Sequence, residues 1–438
     1  MSELLSWGRY PHRPQTPHLV NWPEDVSELL ATSLDSNQDT TLAFGCGRSY
    51  GDSCLAESNH VLDMQSMDRI LDVDWKKGVI CAQAGLTFAE LIRITLPQGW
   101  FLPVTPGTKF VTLGGAVAND VHGKNHHVMG TFGRHVRNLA LYRSDEGLTE
   151  CSPTIKPDLF AATIGGLGLT GVILAVEFQL RRVNSSEIEQ RSIKFGGFDE
   201  FFELSQLHDS SHEYTVAWVD CLASGKQAGR GHYIAGNHLQ EGNIELAPTG
   251  SLRMPIDPPF SLINSITLRA FNALYYNRQR KKEITNQVGY DPFFYPLDGL
   301  QQWNKIYGRS GFQQYQCVVP QQHGREVIRD IMRQISKSGT GSFLAVLKQC
   351  GELTSPGLLS FPLHGVSLAL DFPQREQLNE RLFKKLDALI YEAGGRLYPA
   401  KDAHMTAKHF QQAYSQWGKV EQLRDPKLLS AFWKRVTQ

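Results

Sequence analysis

The sequence has 438 residues, enough for two or three domains with a large buried core. Lys plus Arg and Asp plus Glu both number 44, so no excess charge favours nucleic acid or acidic substrates as partners. Hydrophobic residues make up 41% and charged residues 20%, which is typical of a globular protein and excludes extensive disorder. The seven cysteines are scattered without a Cys-x-x-Cys pair, which predicts reduced thiols in a cytoplasmic protein and no zinc site.

The N-terminal part of the chain alternates short apolar segments with turns. TLAFGCG, HVLDM, RILDVDW and GVICAQAG predict strands, because each is bounded by glycine or polar residues. Residues 87–99 have helical spacing that ends at Pro97 and Gly99. A glycine-rich segment covers 103–134, and a hairpin is expected around 145–147. A short helix in PDLFAATIG and a strand in GVILAVEFQLRRV follow.

The pattern changes near residue 186. YTVAWVDCLA, GFQQYQCVVP, SFLAVLKQCG and GVSLALDFP predict sheet strands, and amphipathic helices are expected at 322–337 and 376–393. This combination predicts a second, α+β domain. The start of the chain lacks the residue order of a signal peptide. Residues 161–176 are uncharged but too short and too rich in glycine for a transmembrane helix, which needs about 20 apolar residues.

Three glycine-rich loops are the main functional signal. FGCGRSYGD at 44–52 follows a predicted strand, and backbone N–H groups in such a loop can surround a phosphate. GLGLTG at 166–171 matches G-x-G-x-x-G, but it lies between a helix and a strand, the reverse of the Rossmann order. The third loop lies within 103–134. Three loops along one groove suit a long ligand with a central pyrophosphate, and FAD fits better than a mononucleotide.

The histidine-rich run DVHGKNHHVMG at 120–130 raises the question of a metal site. Glycines at 123, 130 and 133 interrupt any helix that could place two histidines four residues apart, and no His-Glu-x-x-His pattern is present. We therefore predict no metal. The remaining interpretations are histidines that form hydrogen bonds in a buried loop and a histidine that contacts substrate or cofactor.

Together, GRSYGD, GGAVANDVHGKNHH, GTFGRHV, GGLGLTG, LSFPLHG, LALDFP and GGRLYPAKD resemble the vanillyl-alcohol-oxidase type of FAD flavoprotein. Within that superfamily they are similar to the decaprenylphosphoryl-β-D-ribose 2-oxidase group, along nearly the whole chain. The resemblance implies a two-domain α+β fold. An FAD-binding domain at 1–185, completed by 396–438, would enclose an inserted substrate domain at 186–395 with an antiparallel sheet flanked by helices.

The resemblance also implies which residues hold FAD. The first loop would surround the pyrophosphate through Ala43, Phe44, Gly45, Cys46, Gly47, Arg48, Ser49, Tyr50, Gly51, Asp52 and Ser53. The second would continue this cradle and approach the flavin through Gly107, Thr112, Leu113, Gly114, Gly115, Asn119, Asp120, Val121 and His122. The adenine side and the isoalloxazine edge would be contacted by Gly171, Val172, Ile173 and Tyr398. The resemblance also implies non-covalent binding, because many members of the superfamily attach FAD through a histidine of the first loop and this loop contains none.

The implied reaction is oxidation of a ribose 2-hydroxyl on a polyprenyl phosphate, with hydride transfer to flavin N5. Lys401 and His122 are the predicted catalytic residues. The predicted substrate contacts are Lys124, Trp218, Gln314, Gln316, Lys348 and Lys401. A solvated surface position for Lys401, core packing for Trp218 and a sheet-surface position for Gln316 and Lys348 are the alternatives. Ala369 replaces the cysteine of mycobacterial members, a site of inhibitor attack without a chemical role, which leaves the exact lipid and sugar open.

The expected partners are a lipid-linked sugar and a short-chain-dehydrogenase-type reductase that completes epimerisation to arabinose. A soluble sugar, alditol or aldonolactone oxidase is the alternative activity, and a non-catalytic flavin-binding subunit is the alternative class. Residues 262–282 place Leu262, Ile266, Leu268, Phe271 and Leu274 along a roughly helical stripe that ends in a basic cluster. This segment predicts either peripheral contact with the inner membrane face or a core-packed helix with a solvated end.

Overall fold

The computed structural model describes residues 4–31, 40–248, 250 and 252–438. The helices and strands up to residue 185 are, in chain order, β1 Thr16–Leu19, α1 Pro23–Ala31, β2 Leu42–Phe44, β3 His60–Asp63, β4 Ile70–Asp74, β5 Val79–Gln83, α2 Phe88–Thr95, β6 Trp100–Phe101, α3 Leu113–Ala118, α4 His126–Met129, β7 Val136–Arg143, β8 Gly147–Cys151, α5 Pro157–Thr163, β9 Val172–Gln179 and β10 Arg181–Arg182.

These strands form two main sheets. The parallel sheet has the order β1-β3-β2, and the antiparallel sheet has the order β4-β5-β9-β7-β8. The four strands predicted before residue 85 are confirmed as β2 to β5, and the predicted hairpin is confirmed as β7 and β8. Helix α2 begins with a capping box in which Thr87 and Glu90 bond each other's backbone N–H groups. The predicted end of this helical segment is also confirmed, since Gly99 adopts a φ of 77° after a 3₁₀ turn.

The remaining elements are β11 Glu187–Phe195, α6 Phe198–His208, β12 Tyr214–Val219, β13 Gly231–His238, β14 Leu252–Arg253, α7 Ser265–Asn277, β15 Glu283–Gly289, α8 Tyr290–Phe294, β16 Leu300–Gln301, β17 Phe312–Pro320, α9 Gln321–Ser338, β18 Ala345–Cys350, β19 Gly365–Pro373, α10 Glu376–Glu392, β20 Arg396–Leu397, α11 Ala407–Ala413, α12 Trp417–Leu423 and α13 Ala431–Thr437. The helices predicted at 322–337 and 376–393 are therefore confirmed as α9 and α10.

An eight-stranded antiparallel sheet dominates this second part, with the order β15-β11-β13-β12-β18-β19-β17-β20. Helix α9 buries Ile328, Ile331 and Ile335 on the face that packs against the sheet. The mixture of helices and antiparallel sheets agrees with the predicted α+β class. Strand β20 begins at Arg396, so the C-terminal segment adds a strand to this sheet. The domain boundaries at 185 and 395 stay predictions.

Helix α7 corrects one interpretation of the 262–282 stripe. Only Leu268 of the predicted stripe is buried, whereas Ile266 and Leu274 are 79% and 74% exposed. The interpretation as a core-packed helix is therefore wrong for most of the stripe. None of the helices in the described part of the chain has the length and hydropathy that crossing a bilayer requires.

Candidate functional site

A cavity of about 670 Å³ lies between the glycine loops and one face of the eight-stranded sheet. Most of the predicted cofactor residues line it. The lining members of that set are Ala43, Phe44, Gly45, Cys46, Gly47, Arg48, Ser49, Tyr50, Ser53, Gly107, Thr112, Gly114, Gly115, Asn119, Val121, His122, Gly171, Ile173 and Tyr398. The fold thus brings together side chains and loops that are up to 355 residues apart in sequence.

The first glycine loop presents unpaired donors to this cavity. Among the described residues, none accepts a hydrogen bond from the backbone N–H groups of residues 45–48. The hydroxyl of Ser53, which lines the cavity, is buried and also has no partner within the described chain. Consecutive unpaired N–H groups and a free hydroxyl form a binding site for an anionic group such as a pyrophosphate.

Glycine is required in this loop by close backbone approach. A Cβ atom on Gly51 would lie 1.7 Å from the Asp402 carbonyl oxygen, and one on Gly45 would lie 2.3 Å from Thr112 Oγ1. Thr112 uses that oxygen to accept a hydrogen bond of 3.2 Å from the N–H of Gly115 at the start of α3. Side chains at Gly45 or Gly51 would therefore separate the first loop from the second loop or from the 398–402 segment.

Five predicted cofactor residues lie outside the cavity lining: Gly51, Asp52, Leu113, Asp120 and Val172. The buried Asp120 carboxylate accepts hydrogen bonds from Gly133 N–H at 2.8 Å and from the hydroxyls of Ser355 and Ser360, both at 2.5 Å. Leu113 and Val172 are fully buried in hydrophobic clusters. The structure gives these residues internal contacts, and their contribution to cofactor binding stays a prediction.

A set of polar side chains, called the polar group below, lines the part of the cavity next to the sheet. It contains Lys401, His122, Gln314 and Gln316. The Gln316 amide donates to His122 Nε2 over 3.2 Å, while His122 Nδ1 is buried without a partner in the described chain. Burial lowers the pKa of His122 well below its usual value, and the nearby Lys348 charge acts in the same direction. His122 is therefore a neutral hydrogen-bonding group.

Lys401 is the second titratable side chain of this group. Its Nζ lies 3.6 Å from the centroid of the Tyr50 ring. Burial lowers the pKa of Lys401 from 10.5 to about 7, although the charge of Asp371 opposes this effect. A solvated surface position for Lys401 is excluded, because its amine faces the cavity. At neutral pH the amine is available in its unprotonated form and can accept a proton.

Asp371 belongs to the same polar group and was not predicted as a site residue. It faces Gln314 across the β17–β19 pair, and its Oδ1 accepts a hydrogen bond of 2.6 Å from the Gln314 amide. Its Oδ2 is buried without a partner in the described chain. Burial raises the pKa of Asp371 to about 7, an effect that Gln314 and Lys401 oppose. In the sequence, the signal for Asp371 is a carboxylate inside the otherwise apolar strand segment LALDFP.

The other predicted substrate residues surround this group without lining the cavity. The Lys348 ammonium donates to the Gly123 carbonyl over 2.8 Å, and the Lys124 ammonium donates to the Phe294 carbonyl over 3.2 Å. Burial lowers the pKa of Lys124 to about 8. The Trp218 indole donates to the Phe343 carbonyl over 2.9 Å. These contacts fix the backbone around His122 and along the sheet face, and direct substrate contact stays a prediction.

Arg435 on helix α13 is a second residue that sequence reasoning missed. Its guanidinium donates to both carboxylate oxygens of Asp52, at 2.9 and 2.8 Å, and to Asp402 Oδ2 at 2.9 Å. Asp52 is the last residue of the first glycine loop, and Asp402 follows Lys401. One cation therefore connects the cofactor loop to the segment that carries the lysine. A separation of 383 residues leaves no local signal for this contact.

The histidine-rich run forms a buried, hydrogen-bonded loop. His127 Nε2 lies 2.9 Å from the His212 carbonyl, and His135 Nε2 lies 3.1 Å from the Met129 carbonyl. Burial lowers the pKa of His126 to about 3, so it is neutral. Within the ranges that the structure describes, no three His, Cys, Asp or Glu side chains are grouped in a way that could hold a metal ion.

Comparison with known proteins identifies the ligand that these loops accommodate. A family described as FAD binding domain matches residues 17–152. The chain is 32% identical to decaprenylphosphoryl-β-D-ribose oxidase of Mycolicibacterium smegmatis over 97% of this chain and 94% of that protein. It is 33% identical to an uncharacterized protein of Streptomyces coelicolor over 77% of this chain and 95% of that protein. L-gulonolactone oxidase of Mus musculus is 30% identical over 40% of each chain.

The residues present fit FAD. The unpaired N–H groups of the first loop and the free Ser53 hydroxyl suit the pyrophosphate, and the cavity continues past Tyr398 to the polar group around Lys401. The predicted cofactor is thus confirmed as FAD, and the predicted superfamily is confirmed by the relatives. The chain belongs to the decaprenylphosphoryl-β-D-ribose oxidase family of FAD-dependent oxidoreductases.

Proposed function

We propose that this protein oxidises the 2-hydroxyl of a polyprenyl-phosphoryl ribose to a ketone. The observation that carries the proposal is the position of Lys401, an amine with a pKa lowered to about 7, in the same cavity as the FAD loops. The full-length similarity to a decaprenylphosphoryl-β-D-ribose oxidase supports this choice of substrate among the sugars that the superfamily oxidises.

When bound, FAD accepts the hydride that leaves the alcohol carbon. The hydroxyl proton must move to a base in the same step or before it, so that one C–H bond and one O–H bond break as the C=O bond forms. Lys401 is unprotonated in part at pH 7 and can accept this proton. Its ammonium then carries the positive charge that balances the negative charge gained by the cofactor.

The glutamines orient the sugar. Gln314 and Gln316 are two residues apart on β17, so their amides lie on the same face of the strand. Asp371 holds the Gln314 amide, and His122 accepts from the Gln316 amide. Amides fixed in this way can hold ribose hydroxyls with little loss of side-chain entropy on binding, which favours one orientation of the alcohol carbon. FAD is held without a covalent bond in this proposal.

The ketone product requires reduction by a second enzyme if the pathway is an epimerisation. We therefore include a reductase of the short-chain dehydrogenase type as the expected partner, with an arabinosyl lipid as the final product. The two enzymes can act one after the other without permanent contact, because the oxidised sugar remains attached to its lipid carrier.

Anaerobic bleaching of the bound flavin tests the proposal. The panel contains a prenyl-phosphoryl ribose with a short chain, the matching arabinose compound, free ribose and L-gulono-1,4-lactone. Rapid bleaching by the prenyl-phosphoryl ribose alone is expected. The lactone is included because of the similarity to L-gulonolactone oxidase, and bleaching by the lactone in place of the lipid would assign the alternative activity. A flavin that no member bleaches would contradict both enzymatic assignments.

A further inference from the structure

An apolar surface lies next to residues that line the cavity. We define the 252–282 surface as the exposed side chains of β14, the segment after it and helix α7. Its large apolar members are 40–79% exposed: Leu252, Ile256, Phe260, Leu262, Ile266, Phe271 and Leu274. Elsewhere, exposed residues such as Leu19 and Leu148 lie on other strands of the N-terminal part. A grouped set of this size on a folded surface indicates an interaction site.

The inner face of α7 packs on the eight-stranded sheet. The exposure of its outer apolar side chains is therefore not caused by a helix that has separated from the protein. Leu268 is buried, and the Asn272 amide donates to Asp220 Oδ1 over 2.9 Å. The Tyr275 ring packs against Trp218 with 4.6 Å between the ring centroids. The helix therefore presents Ile266 and Leu274 outward while its buried side chains hold it on the sheet.

The 252–282 surface is continuous with the cavity. Leu252 pairs with Leu300, and the Met254 N–H donates to the Gln301 carbonyl over 3.0 Å. Leu300 and Gln301 both line the cavity. On the other side, Phe271 contacts Phe343, which precedes the cavity residue Leu344. The exposed apolar side chains of this surface are therefore next to residues that a ligand in the cavity can contact.

The same surface carries an excess of positive charge. Between residues 252 and 282 the sequence has six Lys and Arg and one acidic residue, Asp257, whereas basic and acidic residues are equal in number over the whole chain. Asp257 is paired with Arg9 at 2.7 Å. Arg269, Arg280 and Lys281 are exposed. Apolar side chains surrounded by basic ones match the chemistry of an anionic lipid surface, where hydrocarbon and negative charge are both present.

We propose that the 252–282 surface docks the enzyme on an anionic bilayer, so that a polyprenyl chain stays in the lipid while its sugar phosphate enters the cavity. This inference rests on the proposed function for the identity of the substrate. The apolar side chains enter the boundary between headgroups and acyl chains, and the basic side chains contact lipid phosphates. The location beside the cavity removes the need to extract the whole prenyl chain into water.

The test is co-sedimentation of the FAD-loaded enzyme with vesicles of phosphatidylcholine alone and of equimolar phosphatidylcholine and phosphatidylglycerol. We expect binding to the anionic vesicles that weakens with salt. Arg269→Gln/Arg280→Gln/Lys281→Gln should weaken it by about a hundredfold at low salt, because each charge contributes roughly a factor of five. Ile266→Gln/Leu274→Gln should weaken it by roughly tenfold or more. The matched control Leu19→Thr/Leu148→Thr removes exposed apolar residues elsewhere and should bind like the wild type.

A second measurement separates this proposal from the proposed function. All variants should bleach their flavin normally with a short, water-soluble prenyl-phosphoryl ribose, because none of the changed residues lines the cavity. Vesicle binding that is absent in the wild type, or unchanged in both surface variants, would overturn the docking proposal even if bleaching succeeds. Specific vesicle binding without bleaching would refute the proposed substrate but would support the docking proposal. Conversion of a dimer to a monomer by Ile266→Gln/Leu274→Gln would instead assign the surface to a second copy of the chain.

Discussion

Substitution of Lys401 by methionine should affect catalysis and stability in opposite directions. Methionine keeps an unbranched apolar side chain over the Tyr50 ring but removes the amine that faces the cavity. Loss of the proton acceptor and of the later positive charge should slow anaerobic flavin reduction by about 10²–10³. The protein should stay yellow, because the unpaired N–H groups that suit the pyrophosphate lie in the first glycine loop.

The stability effect follows from the lowered pKa. A fall in the Lys401 pKa from 10.5 to about 7 means that the unfolded chain binds this proton more tightly than the folded chain does. At 1.36 kcal/mol per pKa unit the cost has an upper limit of about 5 kcal/mol, and contact of the amine with cavity solvent reduces it to about 1–2 kcal/mol. This cost is complete below pH 7 and disappears as the pH rises towards 10.5.

Thermal unfolding of the FAD-loaded protein between pH 6 and pH 10 measures this effect. Lys401→Met should raise the Tm by roughly 1–2 °C at pH 6–7 and by progressively less at higher pH. Lys401→Arg keeps a charge that cannot be lost in this pH range, so it should restore the rate only in part and should not stabilise the protein. Wild-type flavin reduction in Lys401→Met, or a lower Tm at pH 6–7, would refute the reasoning.

Three further predictions concern the cofactor and the polar group. Asp371→Asn should move the pH at which flavin reduction reaches half its maximum about one unit lower, because the Asp371 charge raises the Lys401 pKa; an unchanged pH profile would contradict this. Acid precipitation should release all FAD into the supernatant, and yellow precipitate would exclude non-covalent binding. Ser53→Ala should weaken FAD binding by about tenfold without changing the Tm of FAD-free protein, whereas Ser6→Ala removes a comparable unpaired hydroxyl outside the cavity and should leave FAD affinity unchanged.

The fold was predictable where short-range rules act. The capping box at Thr87 and the glycine after α2 define that helix from a few neighbouring residues. Helix α3 was missed, because Gly114 and Gly115 have low helix propensity and only the N-cap Thr112 signals a start. In α7 the periodic apolar residues predicted the helix, but periodicity alone could not show that its apolar side faces outward.

The site was predictable where loop chemistry is local and was missed where it depends on pairing across the fold. The first glycine loop was predicted from its glycines and its position after a strand, whereas Lys401 was predicted from the resemblance of GGRLYPAKD to the family. Asp371 becomes relevant only when the β17–β19 register places it opposite Gln314, 57 residues away. Burial also raises the pKa of Asp371 to about 7, whereas a carboxylate with an ordinary pKa is an anion at pH 7. Sequence position alone gives neither the partner nor the burial.

The contacts of Arg435 have a consequence for the retention of FAD. Asp52 and Asp402 share a single guanidinium, so separating the two segments that carry them would leave at least one buried carboxylate without its cation. The first glycine loop, the 398–402 segment and α13 should therefore unfold locally as one cooperative unit, not one by one. A motion that separates the first glycine loop from the 398–402 segment also breaks contacts of α13, so we expect this helix to influence how long FAD stays bound.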